Sequence, residues 1–302
     1  MTTTVHLVDA SLYIFRAWYA RGPDVADRDG APANAVHGFT RFLLDLIERA
    51  RPTHVAVAFD ESLTRSFRNA LYPSYKANRA PAPPELKHQF AGCKEITAAL
   101  GLTVMADPTF EADDLIGSAL TTLRAHGFRA VIVSADKDFG QLIGSEDEQW
   151  DPPSQRRWDA AGVRRRLGVD PAQVADYLAL TGDAIDNIPG VPGIGAKTAA
   201  ILLKHFGTLD ALLARADEVA FLRTRGAATA ALRLRDHAAH ARLSRSLTGI
   251  ALDAPVPAGA CDYLRRPPHS DTIDALFERL RLGPLTRSRV RALAQHPAGV
   301  SP

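Results

Sequence analysis

Cysteine is almost absent from this 302-residue chain, which contains only Cys93 and Cys261. Two cysteines exclude a disulfide-dense fold and a zinc site built from thiolates, so we expect a reducing, cytoplasmic location. Long apolar runs are also missing, because no stretch approaches the roughly 18 uninterrupted apolar residues of a membrane span. The first residues lack a basic segment and carry Asp9 within their apolar run. We therefore expect neither export nor a membrane partner.

Neither sign of charge dominates the chain, since the formal net charge is +2 and the isoelectric point is near 8.6. Any affinity for nucleic acid must therefore come from local clusters of charge. With 46% hydrophobic and 23% charged residues, the chain can bury a real core, in one large domain or two modest ones.

Short valine-rich runs alternate with helical patterns over about the first 140 residues. Three runs predict strands that are buried on both faces of a largely parallel sheet: 5–9, 54–60 and 129–136. Three segments between them have helical patterns: 35–50, 85–101 and 111–127. This alternation predicts an α/β fold.

Strand patterns end near residue 159, and helical runs rich in alanine, leucine and arginine follow. We predict three parts: an α/β core over 1–158, a helical region over 159–250, and a C-terminal helical extension over 251–302 that packs back on the core.

Acidic residues occur where the predicted strands end. Asp9, Asp60 and Asp136 are each the last residue of a predicted strand, and the carboxyl ends of parallel strands meet at one edge. Six further acids lie at a predicted helix start and in the motifs DKD and DAID: Glu111, Asp113, Asp114, Asp138, Asp183 and Asp186. A single aspartate after a strand is more often a helix cap than a metal ligand. Nine acids in these positions are hard to assign to caps, so we expect them to share one cleft.

Such a cluster of like charges is self-repulsive unless cations bind it. Ligand sets made only of oxygen favour Mg²⁺ or Mn²⁺, and the ten histidines are scattered without an HExxH pair. Two such ions could activate a water and stabilise the leaving oxygen in phosphodiester hydrolysis. The acidic pattern therefore predicts a nuclease.

The stretch PGVPGIGAKT could be mistaken for a nucleotide-binding loop. A Walker A loop needs lysine directly after its last glycine, but Ala196 separates Gly195 from Lys197, and no strand leads in. A dinucleotide fingerprint is also excluded, because Thr198 stands where its third glycine belongs.

A helix–hairpin–helix fits this stretch better, with helices at 175–182 and 196–207 joined by PGVPGIG. Backbone amides at the start of the second helix would hold a phosphate without reading bases. The alternative is an ordinary helical corner in the core.

Basic and aromatic side chains are interleaved in the segment 64–86. The cations are Arg65, Arg68, Lys76 and Arg79, and the aromatics are Phe67, Tyr72 and Tyr75. This mixture suits single-stranded or frayed nucleic acid, through phosphate contacts and base stacking. An ordinary solvated loop is the alternative explanation.

Five motifs in order resemble the 5′-nuclease (flap endonuclease) family: LVDASLYIFRAWYA, VAVAFDESLTRSFRNALYPSYKANRAPAP, FEADDLIG, VSADKDFGQL and TGDAIDNIPGVPGIGAKTA. Within that family, the likeness is nearest to the 5′→3′ exonuclease domain of bacterial DNA polymerase I. The resemblance runs from about residue 4 to residue 288, so the chain resembles a free-standing member. Ala10 departs from the glycine that often follows the first aspartate.

The resemblance implies a PIN-like 5′-nuclease core with a largely parallel sheet flanked by helices, a helical arch at 64–86, and a helix–hairpin–helix region. It implies a first metal site at Asp9, Asp60, Glu111 and Asp113, with Asp114 nearby. It implies a second at Asp136, Asp138, Asp183 and Asp186. Lys76 and Arg79 would engage the scissile phosphate as catalytic residues. The implied DNA-binding residues are Arg68, Tyr75, Gly193, Gly195, Lys197 and Thr198.

The implied activity is 5′→3′ exonuclease and flap endonuclease cleavage of DNA with a 5′ flap, overhang or duplex end. The implied cofactors are two or more Mg²⁺ or Mn²⁺ ions, and K⁺ at the hairpin. A separate DNA polymerase is a further expected partner. Two alternatives stay open: a DNA-binding protein whose catalysis has decayed, and a PIN-type ribonuclease.

Overall fold

A six-stranded sheet forms the centre of the protein, which the computed structural model describes over residues 2–20, 25–61 and 64–295. The strands run in the spatial order β3-β2-β1-β4-β5-β6, and all adjacent pairs are parallel except β5 with β6. Their bounds are β1 Thr3–Asp9, β2 His54–Asp60, β3 Thr103–Asp107, β4 Phe128–Val133, β5 Glu148–Asp151 and β6 Arg156–Trp158. The α/β fold with a largely parallel sheet is thus confirmed.

Helices cover both faces of the sheet and form most of the chain after β6. Those before β6 are α1 Ala10–Ala20, α2 Asn34–Ala50, α3 Phe67–Leu71, α4 Pro84–Ala99 and α5 Ala112–Ala125. Those after it are α6 Ala160–Leu167, α7 Val174–Thr181, α8 Ala196–Phe206, α9 Leu209–Ala214, α10 Ala227–Asp236, α11 Ala238–Thr248, α12 Ser270–Leu280 and α13 Pro284–Gln295. Short 3₁₀ helices include Lys137–Leu142.

Each face of the sheet is buried, as its valine-rich strands predict. Leu7 packs in one hydrophobic cluster and its neighbour Val8 in the other, because successive side chains of a strand point to opposite faces. The Leu7 cluster continues through α5 into α7, α8 and α10, so the helical region shares its core with the sheet. On the other face, α12 packs against α4 and α13 against α2.

Three of the six strands lie outside the predicted strands. The prediction missed β3, β5 and β6, which are only three to five residues long. The prediction of a strand over 129–136 is too long, because β4 ends at Val133 and Asp136 instead caps the 3₁₀ helix that follows.

The segment expected to form an arch is mostly not helical. It contains α3 and then turns up to the start of α4. Pro73, Pro81 and Pro83 explain this, because proline removes an amide donor and disfavours helix at the residue before it. Among the described helices, none has the length and apolarity needed to cross a lipid bilayer.

Candidate active site

The carboxyl edge of the sheet places Asp9 and Asp60 on adjacent strands. Asp9 ends β1 and pairs in register with Ala58, two residues before Asp60 at the end of β2. Ser134, just after β4, donates a hydrogen bond from Oγ to Asp9 Oδ2 at 2.9 Å. Asp60 Oδ1 accepts the amide of Ala112 at 2.8 Å, so Asp60 also fixes the first residue of α5. Both carboxylates are oriented by neighbouring elements.

The start of α5 gathers three acids. Glu111, Asp113 and Asp114 each offer a carboxylate oxygen, and these oxygens lie within 4.8 Å of one another. The Asp114 amide donates to Asp113 Oδ1 at 2.9 Å, and the Glu111 amide donates to Asp114 Oδ2 at 3.0 Å. Free amides and the helix dipole tolerate negative charge at this helix end.

The DKD motif lies in the turn after β4. Asp136 Oδ1 accepts the amide of Asp138 at 3.1 Å, so Asp136 caps the short 3₁₀ helix. Asp138 Oδ1 is buried and has no hydrogen-bond partner among the described residues. A buried carboxylate oxygen without a protein donor is typical of a position that a cation or a water satisfies.

The DAID motif forms a closed loop between α7 and α8. Asp183 and Ile188 exchange two backbone hydrogen bonds, of 3.0 and 2.8 Å. Asp183 Oδ1 also accepts the amides of Ile185 and Asp186 at 2.8 and 3.3 Å. Gly190 has a φ of +63°, and a Cβ there would lie 2.4 Å from the Gly182 nitrogen. Glycine is therefore required for the chain to close behind this loop.

Besides Arg68, which binds Glu111 and Asp114, three basic side chains contact the acids directly. Lys76 Nζ donates to Glu111 Oε1 at 2.7 Å, and its amide donates to Asp186 O at 2.9 Å. Lys137 Nζ donates to Asp183 Oδ2 at 2.7 Å, and Arg79 pairs with Asp186. Lys76 has a φ of 54°, an unusual left-handed conformation for a lysine. This residue bridges the α5 acids and the DAID loop.

Several of the predicted acids repel one another electrostatically. Burial and repulsion from Asp60 and Asp136 raise the pKa of Asp9 to about 7. Burial and Asp136 raise the pKa of Asp138 to about 8, with smaller contributions from Asp183 and Asp186. Burial also raises the pKa of Asp113, although Arg68 opposes it. The site therefore resists ionisation unless positive charge enters it.

Hard divalent cations fit this donor set. The cluster offers only carboxylate oxygens, the ligands that Mg²⁺ and Mn²⁺ prefer. The buried Asp138 oxygen without a donor is the second observation that favours a cation. Asp114 fits less well, because its Oδ1 and Oδ2 already accept from Arg68 at 2.8 and 2.7 Å and from two backbone amides.

Arg68 and Tyr75, which were predicted to bind DNA, are buried in the structure. Their exposed fractions are 1% and 3%. Tyr75 donates its hydroxyl to Glu111 Oε2 at 2.9 Å, and Arg68 binds Asp114 through both terminal nitrogens. These side chains are cationic and aromatic, as nucleic-acid ligands often are, but both are used inside the protein.

The predicted hairpin lies between α7 and α8. Gly193, Gly195 and Lys197 are exposed, and Thr198 is partly buried. Gly195 precedes the first turn of α8 in extended conformation, without a side-chain cap. The connection consists of the DAID loop followed by PGVPGIG. Arg233 from α10 was not predicted, and its Nη1 donates to Gly193 O at 3.1 Å.

Sequence reasoning also missed three polar residues that hold the loops around the acids. Lys137 lies inside the DKD motif, where a cation between two aspartates was the available signal. Asn78 Nδ2 donates to Ala184 O at 2.8 Å, and Asn187 Nδ2 donates to Ser74 O at 2.7 Å. These two bonds close residues 74–79 over the DAID loop, and no local pattern reveals them.

A parallel sheet with acids at its carboxyl edge, joined to a helical region with an exposed hairpin, defines the 5′-nuclease fold class. The T5 5′-exonuclease, in a structure described with zinc bound, has this fold with a TM-score of 0.65 and 18% identity over 97% of this chain and 98% of its own. The catalytic core of Rad2 in complex with DNA substrate gives 0.64 and 14% identity, over 96% and 91%.

The chain belongs to the 5′-3′ exonuclease family, as the sequence motifs predict. Residues 4–168 match the 5′-3′ exonuclease N-terminal resolvase-like domain, and residues 169–271 match the 5′-3′ exonuclease C-terminal SAM fold. A 5′-3′ exonuclease of Aquifex aeolicus is 36% identical over 70% of this chain and 72% of its own length. DNA polymerase I of Rhizobium leguminosarum is 37% identical over 98% of this chain, which spans only 29% of that polymerase.

Proposed function

We propose that this protein is a structure-specific 5′-nuclease that hydrolyses DNA phosphodiester bonds, acting as a 5′→3′ exonuclease and flap endonuclease. The convergence of the acids from the sheet edge, α5, the DKD turn and the DAID loop carries this proposal. Membership of the 5′-3′ exonuclease family and the fold of T5 5′-exonuclease support it.

The acids that would hold two divalent ions, Mg²⁺ or Mn²⁺, form two sets. Asp9, Asp60, Glu111 and Asp113 make the first, with Asp114 orienting it, and Asp136, Asp138, Asp183 and Asp186 make the second. Bound there, such ions supply activation of water and stabilisation of the leaving 3′-oxygen. In the hydrolysis the P–O3′ bond breaks, and the water leaves its oxygen on the 5′-phosphate and a proton on the 3′-oxygen.

Lys76 and Arg79 are the cations suited to the scissile phosphate. Both already lie against acids of the site, and the Arg79 side chain is 37% exposed. When substrate enters, these cations would offset the charge that develops on the phosphate. Positioning the phosphate between them and the acids also lowers the entropic part of the barrier.

The hairpin would hold the backbone of the downstream duplex. The exposed residues Gly193 and Gly195, with Lys197 and Thr198 on the first turn of α8, suit phosphate contacts that carry no base readout. We also propose K⁺ at this hairpin. Specificity would come from a free 5′ end and the bend of the duplex. A DNA substrate favours a cytoplasmic location and a separate DNA polymerase as a partner.

Cleavage of a 5′-labelled flapped duplex in Mg²⁺ or in chelator tests the proposal. We expect short 5′ products from the wild type only with metal, and none from Asp183→Ala. Binding without cleavage at every metal concentration would contradict it and favour a DNA-binding protein. Preferential cleavage of single-stranded RNA would instead favour a PIN-type ribonuclease.

A further inference from the structure

Glu111 accepts hydrogen bonds from three side chains of one short segment. Tyr75 Oη and Arg68 Nη1 donate to Oε2 at 2.9 and 3.2 Å, and Lys76 Nζ donates to Oε1 at 2.7 Å. Arg68 and Tyr75 are buried, whereas the Lys76 side chain is 11% exposed. Two of the three donors are thus enclosed by protein, and Lys76 is the one whose side chain is partly exposed.

The Arg68 guanidinium has no donor left for a phosphate. Its five N–H groups make five bonds within the protein. Besides the bond to Glu111, Nη1 and Nη2 donate to Asp114 at 2.7 and 2.8 Å. Nε donates to Leu247 O and Nη2 to Gly249 O, each at 2.8 Å. Arg68 is therefore saturated by the carboxylates of α5 and by carbonyls at the end of α11.

These contacts join three parts of the molecule. Arg68 belongs to α3, Asp114 to the first turn of α5, and Leu247 to the last turn of α11. Gly249 follows α11. Two residues further along the chain, the amide of Ala251 donates to Asp114 Oδ1 at 2.8 Å. The direction of the Glu111 carboxylate is consequently tied to the way the helical region closes on α5.

We propose that Arg68 and Tyr75 are positioning residues that hold the Glu111 carboxylate in the orientation a divalent ion requires, and that neither contacts DNA. The inference rests on the proposed function, because it concerns the same acidic site. It separates them from Lys76 and Arg79, which share the segment but have side chains that reach solvent.

Metal affinity and DNA affinity, measured separately, test this division. Mn²⁺ binding would be followed by calorimetry without DNA, and binding of the flapped duplex by fluorescence anisotropy in chelator. We expect Tyr75→Phe and Arg68→Lys to raise the Kd for Mn²⁺ by about 10-fold, the usual effect of losing a hydrogen bond that orients a metal ligand. The Kd for DNA should stay unchanged.

Two matched controls stand outside the site. Tyr263 is a fully buried tyrosine whose hydroxyl donates to Pro257 O at 2.9 Å. Arg289 binds Glu48 through two nitrogens at 2.7 Å. Tyr263→Phe and Arg289→Lys should leave both affinities unchanged, which distinguishes orientation of Glu111 from a general loss of packing.

Unchanged Mn²⁺ affinity in Tyr75→Phe would overturn the inference, whether or not DNA binding weakens. Weaker DNA binding with normal Mn²⁺ affinity would restore DNA contact as the role of these residues. If Arg68→Lys fails to fold, as judged by circular dichroism, Tyr75→Phe alone decides, because it removes one hydroxyl. A wild type that binds Mn²⁺ yet never cleaves DNA would defeat the proposed function and leave the positioning role standing.

Discussion

Two groups of carboxylates in the acidic site differ in how their charge is balanced. Glu111, Asp183 and Asp186, the paired acids, form ion pairs with Lys76, Lys137 and Arg79. Asp9, Asp113 and Asp138, the unpaired acids, form no ion pair within the described residues, and each has a raised pKa. A cation bound at the unpaired acids would therefore stabilise the protein most. At the paired acids, the protein's own cations must move away from the carboxylates when metal and substrate bind.

The largest expected effect comes from neutralising an unpaired acid. Asp113→Asn should reduce cleavage of the flapped duplex by roughly 10³-fold, equivalent to about 4 kcal/mol of transition-state stabilisation, because it removes a metal ligand. Single-turnover rates in saturating Mg²⁺ measure this loss. Asp210→Asn, which alters an exposed acid of α9, is the matched control and should cleave normally. Near-normal cleavage by Asp113→Asn would show that an unpaired acid of this site is not needed for catalysis.

Replacing Asp9 with asparagine should lower activity but raise the stability of the metal-free protein. Its pKa of about 7 lies above the ordinary 3.8, so the folded protein keeps a proton that the unfolded chain has already lost. Metal-free wild type should therefore lose stability as the pH rises from about 4 to about 7. Asp9→Asn removes this penalty, which is at most about 4 kcal/mol and on the order of 2 kcal/mol after allowing for solvent.

Urea unfolding in chelator measures this difference. Asp9→Asn should be the more stable protein at pH 8, and its advantage should disappear at pH 4, where both folded proteins are neutral at this position. Added Mg²⁺ should stabilise the wild type and have little effect on Asp9→Asn. Destabilisation of Asp9→Asn at pH 8 would mean that the hydrogen bond from Ser134 outweighs the repulsion.

The sequence predicts the position of some acids of the site better than that of others. Asp9 and Asp60 end strands, and Glu111 begins a helix, so local patterns suffice to place them at one edge of the sheet. Asp136, predicted at a strand end, lies in a turn. The strands β5 and β6 are too short to show a period, and no pattern in residues 74–79 predicts their closure over the DAID loop.

Sequence patterns do not predict which basic side chains of residues 64–86 are buried. Arg68 and Arg79 are the same residue type, yet Arg68 is enclosed by α5 and α11 while Arg79 reaches solvent. Which cation is used internally depends on the carbonyls of Leu247 and Gly249, which follow Arg68 by 179 and 181 residues. Long-range packing of that kind leaves no local trace.

A smaller effect of opposite sign is expected at the paired acid Asp183. Burial alone would raise its pKa, but Lys137 and two backbone amides lower it below the ordinary value. Its ion pair therefore stabilises the folded protein at neutral pH, and this contribution is lost as the pH falls through the lowered pKa. Asp183→Asn should destabilise the metal-free protein by about 0.5 kcal/mol, since Lys137 is partly exposed.

The same urea experiment at pH 8 distinguishes paired from unpaired acids by the sign of the change in stability. Stabilisation of Asp183→Asn would show that Lys137 does not balance this acid, and the division into paired and unpaired acids would fail there. Lys137→Met should mimic Asp183→Asn if the ion pair is responsible, because either variant breaks the same contact.

The smallest effect concerns Arg79, whose partner is Asp186. If Arg79 leaves Asp186 to bind the phosphate, Arg79→Ala should weaken DNA binding about two-fold and lower the salt dependence by about one phosphate contact. Anisotropy titrations in chelator at several salt concentrations give that slope. Arg215→Ala is the control, because Arg215 forms a similar exposed pair with Glu218, which is not one of the acids of the site. An unchanged slope for Arg79→Ala would show that Arg79 does not contact DNA, which is the role inferred for Arg68. Lys76 would then be the cation of residues 64–86 that remains available to the substrate.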